Sequence, residues 1–236
     1  MKIMNWFKFG MAIMILSISV MGCISDATGL LEDEDVVELL ENALNSKAGG
    51  FDAQIVDMLA LVEMYQDDCN ASIDSSYAKE NGIGSFTYNY NYNYTGTVIC
   101  DSSTSIPQNI EFDYTSIGTY AAPRMSSSDE GTYNITVNGI QPTNTNYNLV
   151  GSYTRVGTQT TKIRNELTFT ATLEISLTSL LVEKATKDVK SGDGAFTVTG
   201  ETSGGESISY DGTISYNDDN TVTVNLNGKD YTIDLD

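Results

Sequence analysis

Thirty-two carboxylates and no histidine set the chemistry open to this chain of 236 residues. Without an imidazole there is no Ser-His-Asp or Cys-His activation of a nucleophile. The nitrogen ligands favoured by zinc, copper and iron are missing too. Glycoside hydrolysis needs only two carboxylates at a set spacing, but the sequence marks out no pair among so many. No phosphate loop, nucleophile elbow or metal motif occurs. The runs "SSSDE" (Ser126 to Glu130) and "YNDDN" (Tyr216 to Asn220) offer oxygen atoms of the kind calcium takes, without the spacing of a calcium loop. The expectation is a protein that is not an enzyme and that uses no cofactor and no metal.

The remaining chemistry lies in tyrosine and cysteine. From Ser85 to Cys100 the chain reads "SFTYNYNYNYTGTVIC". Flat aromatic faces stack on sugar rings, so Tyr88, Tyr90, Tyr92 and Tyr94 are the candidates to face a glycan or an apolar ligand. Stacking needs exposed rings, however. A tyrosine stripe in phase with Phe86, Val98 and Cys100 reads as a core face whose hydroxyls reach the rim or a partner. The asparagines on the other side read as solvated, or as a polar ladder open to another chain.

These groups must be held by regular elements. "LEDEDVVELLENALNSKAGG" sets Val36, Val37, Leu40, Ala43 and Leu44 on one helical face. Glu32 to Asp35 fall in its first turn, where negative charge complements the helix dipole, and Gly49-Gly50 stops it. A second helix is predicted from Asp52 to Cys69, with Phe51, Ile55, Met58, Val62, Tyr65 and Cys69 on one stripe. The two helices form a hairpin within residues 30–83.

From Gly84 the period changes to 2. Ile110, Phe112 and Tyr114 share one face, as do Tyr133, Ile135 and Val137, then Tyr147, Leu149, Gly151 and Tyr153. The longest alternation runs from Leu167 to Leu177, and its parity slips at Leu180-Leu181-Val182, which predicts a bulge. Asn227-Gly228 predicts a two-residue hairpin with Val224 opposite Tyr231. The loops Ser203-Gly204-Gly205 and Asp218-Asp219-Asn220 keep parity if Val198 meets Tyr210 and Tyr216 meets Val222. About nine long antiparallel strands over residues 84–236 must bury one face. They can do so as a barrel, a two-layer sandwich or a curved sheet under the helices. A mainly β protein, barrel-like or strongly curved and covered by the helical hairpin, is the expectation. A transmembrane barrel would alternate as well, but the helices argue against it.

Cys69 on the helical stripe and Cys100 on the apolar face of the first strand point into one interface. The periodicity therefore predicts a Cys69–Cys100 disulfide, as suits a compartment outside the cytoplasm.

Residues 1–22 read as a targeting segment: Lys2 and Lys8, a short apolar run "MAIMILSISVM", then Val20-Met21-Gly22-Cys23. The run is shorter than the roughly 20 residues of a membrane span. It resembles the lipobox of prokaryotic lipoproteins, with Val20 where leucine is commonest. The resemblance implies a lipid on Cys23, the first residue after cleavage, and a tether over residues 23–29. More broadly the chain resembles β-rich envelope lipoproteins of the kind abundant in Bacteroidetes. That implies a membrane-anchored protein of the outer membrane or cell surface. The formal charge is −20, and removing Lys2 and Lys8 leaves −22, which disfavours nucleic acid as a partner. Two functional expectations follow: a non-catalytic binding module for an apolar or glycan ligand, or a structural or protein-interaction lipoprotein with an unidentified partner. A hydrolase is the third.

Overall fold

A computed structural model describes residues 30–82, 84–163 and 166–235. The targeting segment, Cys23 and the tether lie outside the described residues. Helix α1 spans Asp33–Leu44 and α2 spans Phe51–Tyr65, joined through a short 3-10 turn, Ser46–Ala48. The acidic run is a helix start. Asp33, Glu34 and Asp35 fill the first turn of α1, and the backbone N–H of Glu32 donates to the Asp35 carboxylate at 3.1 Å. Helix α2 is shorter than its pattern suggests, so Cys69 sits in the turn beyond it.

Ten strands follow in a single antiparallel meander: β1 (Ser72–Asn81), β2 (Thr87–Cys100), β3 (Pro107–Ala121), β4 (Met125–Asn138), β5 (Asn146–Thr161), β6 (Thr168–Glu183), β7 (Val189–Thr202), β8 (Ser207–Tyr216), β9 (Thr221–Leu226) and β10 (Lys229–Asp234). The extra strand is β1, inside the segment that sequence assigns to the helical hairpin. Only Ile73 and Tyr77 mark its inward parity, too few to read.

The C-terminal registers hold as expected. Val224 pairs with Tyr231, Val198 with Tyr210, and Tyr216 with Val222. Asn227, Gly228, Asn220 and Gly205 all take positive φ in the turns that set those registers. The parity slip in β6 is seated slightly earlier as well, with register shifts at Leu177/Ser179 and at Leu181/Val182.

The sheet is not closed into a barrel; its order runs linearly from β1 to β10. The helices meet both edges. Lys79 on β1 pairs with Asp57 of α2 at 2.6 Å, and Asn45, just past α1, donates to the Asp234 carbonyl of β10 at 2.9 Å. The space that a barrel would close by edge pairing is filled by α1 and α2, whose buried faces share one hydrophobic core with the sheet.

Glycines on the inward face sit opposite large rings. Gly96 lies opposite Phe112, Gly118 opposite Tyr90, and Gly212 opposite Phe196. In each pair a large ring covers the backbone of its glycine partner. At Gly118 a Cβ would stand 2.1 Å from the Asn89 carbonyl and 2.6 Å from the Tyr90 ring. Gly118→Ala is therefore expected to force β2 and β3 apart and cost about 1–3 kcal/mol, read as a lowered urea midpoint with the β spectrum retained.

Cys69 and Cys100 form a disulfide with Cα atoms 5.7 Å apart, closing 31 residues of sequence separation. It ties the turn after α2 to the end of β2. Replacing both cysteines by serine is expected to cost about 3–4 kcal/mol on the chain-entropy estimate, read as a fall in thermal midpoint that reducing agent reproduces in the wild type.

Candidate functional site

The tyrosines of the sequence repeat face the core. Tyr90, Tyr92 and Tyr94 are buried and Tyr88 is half-buried. Strand parity places them there, and the α1–α2 connection lies over them. The Tyr92 hydroxyl donates to the Gly49 carbonyl at 2.9 Å. Gly49 has φ +71°, and a Cβ on it would meet Tyr88, Tyr90 and Tyr92 within 3.0–3.1 Å. Only glycine fits both the left-handed turn and the rings beneath it. Tyr90, Tyr92 and Tyr94 therefore present no flat face to a ligand, while Tyr88 keeps part of its surface open.

They belong to a larger aromatic array. Tyr94, Tyr114, Tyr133 and Tyr153 occupy one cross-strand row on β2, β3, β4 and β5. Their ring centroids step by 4.8, 3.8 and 4.3 Å, with interplanar angles of 22° or less. Phe51, the first residue of α2, stacks on Tyr133 and Tyr153 at 6.2 and 6.0 Å. The row fills the centre of the space between helices and sheet, where a carrier would keep a cavity. Burial pushes the phenols of Tyr94, Tyr114, Tyr133 and Tyr153 above their ordinary range, and neighbouring tyrosines push Tyr94, Tyr114 and Tyr133 in the same direction.

Beside the row stands the densest group of reactive side chains. Arg155 of β5 donates from Nη2 to the Asp129 carboxylate of β4 at 2.7 Å and to the Tyr90 hydroxyl at 2.6 Å. Tyr90 donates in turn to Asp129 at 2.9 Å. The Arg155 guanidinium lies 4.9 Å from the centroid of the Tyr120 ring. The Arg155 and Asp129 side chains are 4% and 1% exposed. Burial works against the arginine cation, but Asp129 and the surrounding phenols outweigh it and hold its pKa above the ordinary value. A phenol shared between a carboxylate and a guanidinium is a competent proton-transfer set. Here it is buried, with the Tyr120 ring against the guanidinium, so its effect is to fix the register of β2, β4 and β5.

Sequence reasoning missed Asp129 and Arg155, although the signal was present. Extending inward parity from Tyr133 back through Gly131 reaches Asp129, and from Tyr153 forward reaches Arg155. Opposite charges on the core faces of neighbouring strands must pair. The same parity removes "SSSDE" as a calcium site, because Ser127 and Asp129 point inward while Ser128 and Glu130 point outward. "YNDDN" is the β8–β9 turn, where Asp219 accepts from the Thr221 hydroxyl at 2.6 Å. Among the described residues no group of three or more acidic or cysteine side chains converges on a point that could hold a metal.

The outward face of the sheet is of a different kind. Serine, threonine and asparagine cover it, with Glu111, Asp113, Glu130, Glu174 and Asp211 exposed among them. In β2 to β6 and β8 the only arginine or lysine is Arg155, which points inward. Two large aliphatic side chains stand well exposed on this surface, Ile117 at 58% and Val156 at 39%, while Ile99, Val150 and Leu181 share its parity but are half-buried. Ile117 and Val156 flank Glu130 on adjacent strands, in the register Ile117–Glu130–Val156. Together with Thr115, Thr132 and Thr154 they line a shallow depression.

Comparison with models of protein families, with curated proteins and with solved structures finds no match for the chain.

Proposed function

We propose that the protein is a non-catalytic lipoprotein of the cell envelope, held to a membrane of the outer envelope or cell surface by a lipid on Cys23, and that it works by contacting another protein through the outward face of its sheet. The observation that carries this reading is the exposed pair Ile117 and Val156 around Glu130, on a face composed mainly of hydroxyl, amide and carboxylate groups. An aliphatic pair held open on a sheet face, rimmed by polar groups, is the kind of surface a protein partner covers. The reading as a carrier of an apolar or glycan ligand draws less support. The Tyr94–Tyr114–Tyr133–Tyr153 row and Phe51 occupy the interior, and Tyr90, Tyr92 and Tyr94 are turned away from solvent.

Native mass spectrometry of the protein extracted gently from its own membranes separates the two readings. A surface-acting protein is expected to show the mass of the chain with its lipid, alone or with a protein partner. A reproducible small-molecule adduct that survives desalting would overturn the proposal in favour of a carrier.

A further inference from the structure

We infer that Asn93 and Asn134 on the outward face, and Asn70 in the turn before β1, are acceptors for N-linked glycans. Each opens an Asn-X-Ser/Thr triplet whose middle residue is not proline: Asn70-Ala71-Ser72, Asn93-Tyr94-Thr95 and Asn134-Ile135-Thr136. All three asparagines are exposed. Strand parity separates attachment from the core. The middle residues Tyr94 and Ile135 are buried, so Asn93 and Asn134 project from the opposite side, and a sugar there displaces nothing that holds the fold. The Asn134 amide donates to the Asp113 carboxylate. A glycosylated amide keeps one N–H, enough to retain that bond.

The disulfide supplies a second, independent observation. A Cys69–Cys100 bridge belongs to a compartment outside the reducing cytoplasm, which is where lipid-linked oligosaccharides are presented to exported chains. In the transfer, Nδ2 of asparagine attacks C1 of the first sugar. The new C–N bond replaces the C1–O bond to the lipid phosphate, and the amide proton leaves with a base. Asn93 and Asn134 sit within paired strands, so transfer onto them precedes sheet formation. Asn70, at φ 59° in a turn, stays open afterwards. Asn93 is level with Thr115, and Asn134 lies four residues along β4 from Glu130. At roughly 3.3 Å per residue, both attachment points stand at the border of the Ile117–Val156 depression.

The test is peptide mass spectrometry on the full chain purified from its native membranes, beside the same chain made in a cytoplasm that lacks oligosaccharyl transfer. The expected result is a sugar mass on the peptides carrying Asn70, Asn93 and Asn134, with stepwise loss of that mass in Asn70→Gln, Asn93→Gln and Asn134→Gln. The variants should keep the wild-type thermal midpoint. Native peptides carrying any of the three asparagines at their bare masses would overturn the inference at that site, and sugars confined to serine or threonine would overturn it throughout.

Discussion

Raising the pH through 10 is expected to unfold the protein within about one pH unit, with ionisation of its buried tyrosines and loss of β structure occurring together. Eight tyrosines, Tyr90, Tyr92, Tyr94, Tyr114, Tyr120, Tyr133, Tyr153 and Tyr216, have phenols raised above the ordinary value of 10.0, with burial the leading cause in every case. A phenol whose folded pKa is raised keeps its proton in the native state after the unfolded state has lost its own. Its stabilising effect is thus complete below pH 10 and is lost as pH rises from 10 towards the raised value. Each such group withdraws about 1.4 kcal/mol per pH unit in that window, so eight together withdraw on the order of 11 kcal/mol per unit. Domains are stable by only about 5–15 kcal/mol, so a midpoint between about pH 10 and 11 follows. Absorbance at 295 nm and far-ultraviolet circular dichroism, recorded on one titration, check this. A phenolate signal larger than the six tyrosines outside this set can supply, seen while the sheet remains intact, would show that the tyrosine row is open to water.

Deleting one member of the buried ion pair is expected to have the next largest effect. Asp129→Ala leaves the Arg155 cation buried with no carboxylate within reach, and Arg155→Ala leaves the Asp129 anion. Either change is expected to cost about 3–5 kcal/mol, the usual penalty for stranding one charge in a protein interior. Removing both, as Arg155→Met with Asp129→Leu, is expected to recover most of that loss, because two apolar groups of similar volume need no desolvation. Urea unfolding of the two single variants and the double variant measures the coupling directly. Additive losses in the double variant would mean that the pair is not the unit that holds β4 to β5.

How much of this was legible follows from where periodicity is clean. Tyr94, Tyr114, Tyr133 and Tyr153 each carry an inward parity that sequence reads strand by strand, and the structure aligns them in one row. The turns at Asn227-Gly228 and Asn220 fixed register because those residue types accept positive φ where others resist it. Strand β1 was hidden because "SIDSSYAKEN" alternates weakly, as an edge strand with little to bury does. Barrel closure was not readable at all. It turns on whether helices fill the gap between Lys79 and Asp234, a matter of tertiary volume and not of local pattern. The Cys69–Cys100 pair was found although Cys69 lies in a turn and not on the helix. The stripe leads the chain to the right place, and the turn carries it the last few residues. The outward patch escaped notice because Ile117 and Val156 are single aliphatics in polar strands. They become neighbours only through a register that spans β3, β4 and β5.

The most direct test of a protein that acts through its outer sheet face is photo-crosslinking in intact cells. A benzophenone amino acid at Val156, between the lining of the depression and solvent, is compared with one at Thr213, exposed on the same face three strands away. A discrete crosslinked protein is expected from position 156, lost when Ile117→Asp is added and weak or missing from position 213. Equal labelling from both positions, or no crosslinked protein from position 156 in cells where the chain is folded and anchored, would contradict action through that face.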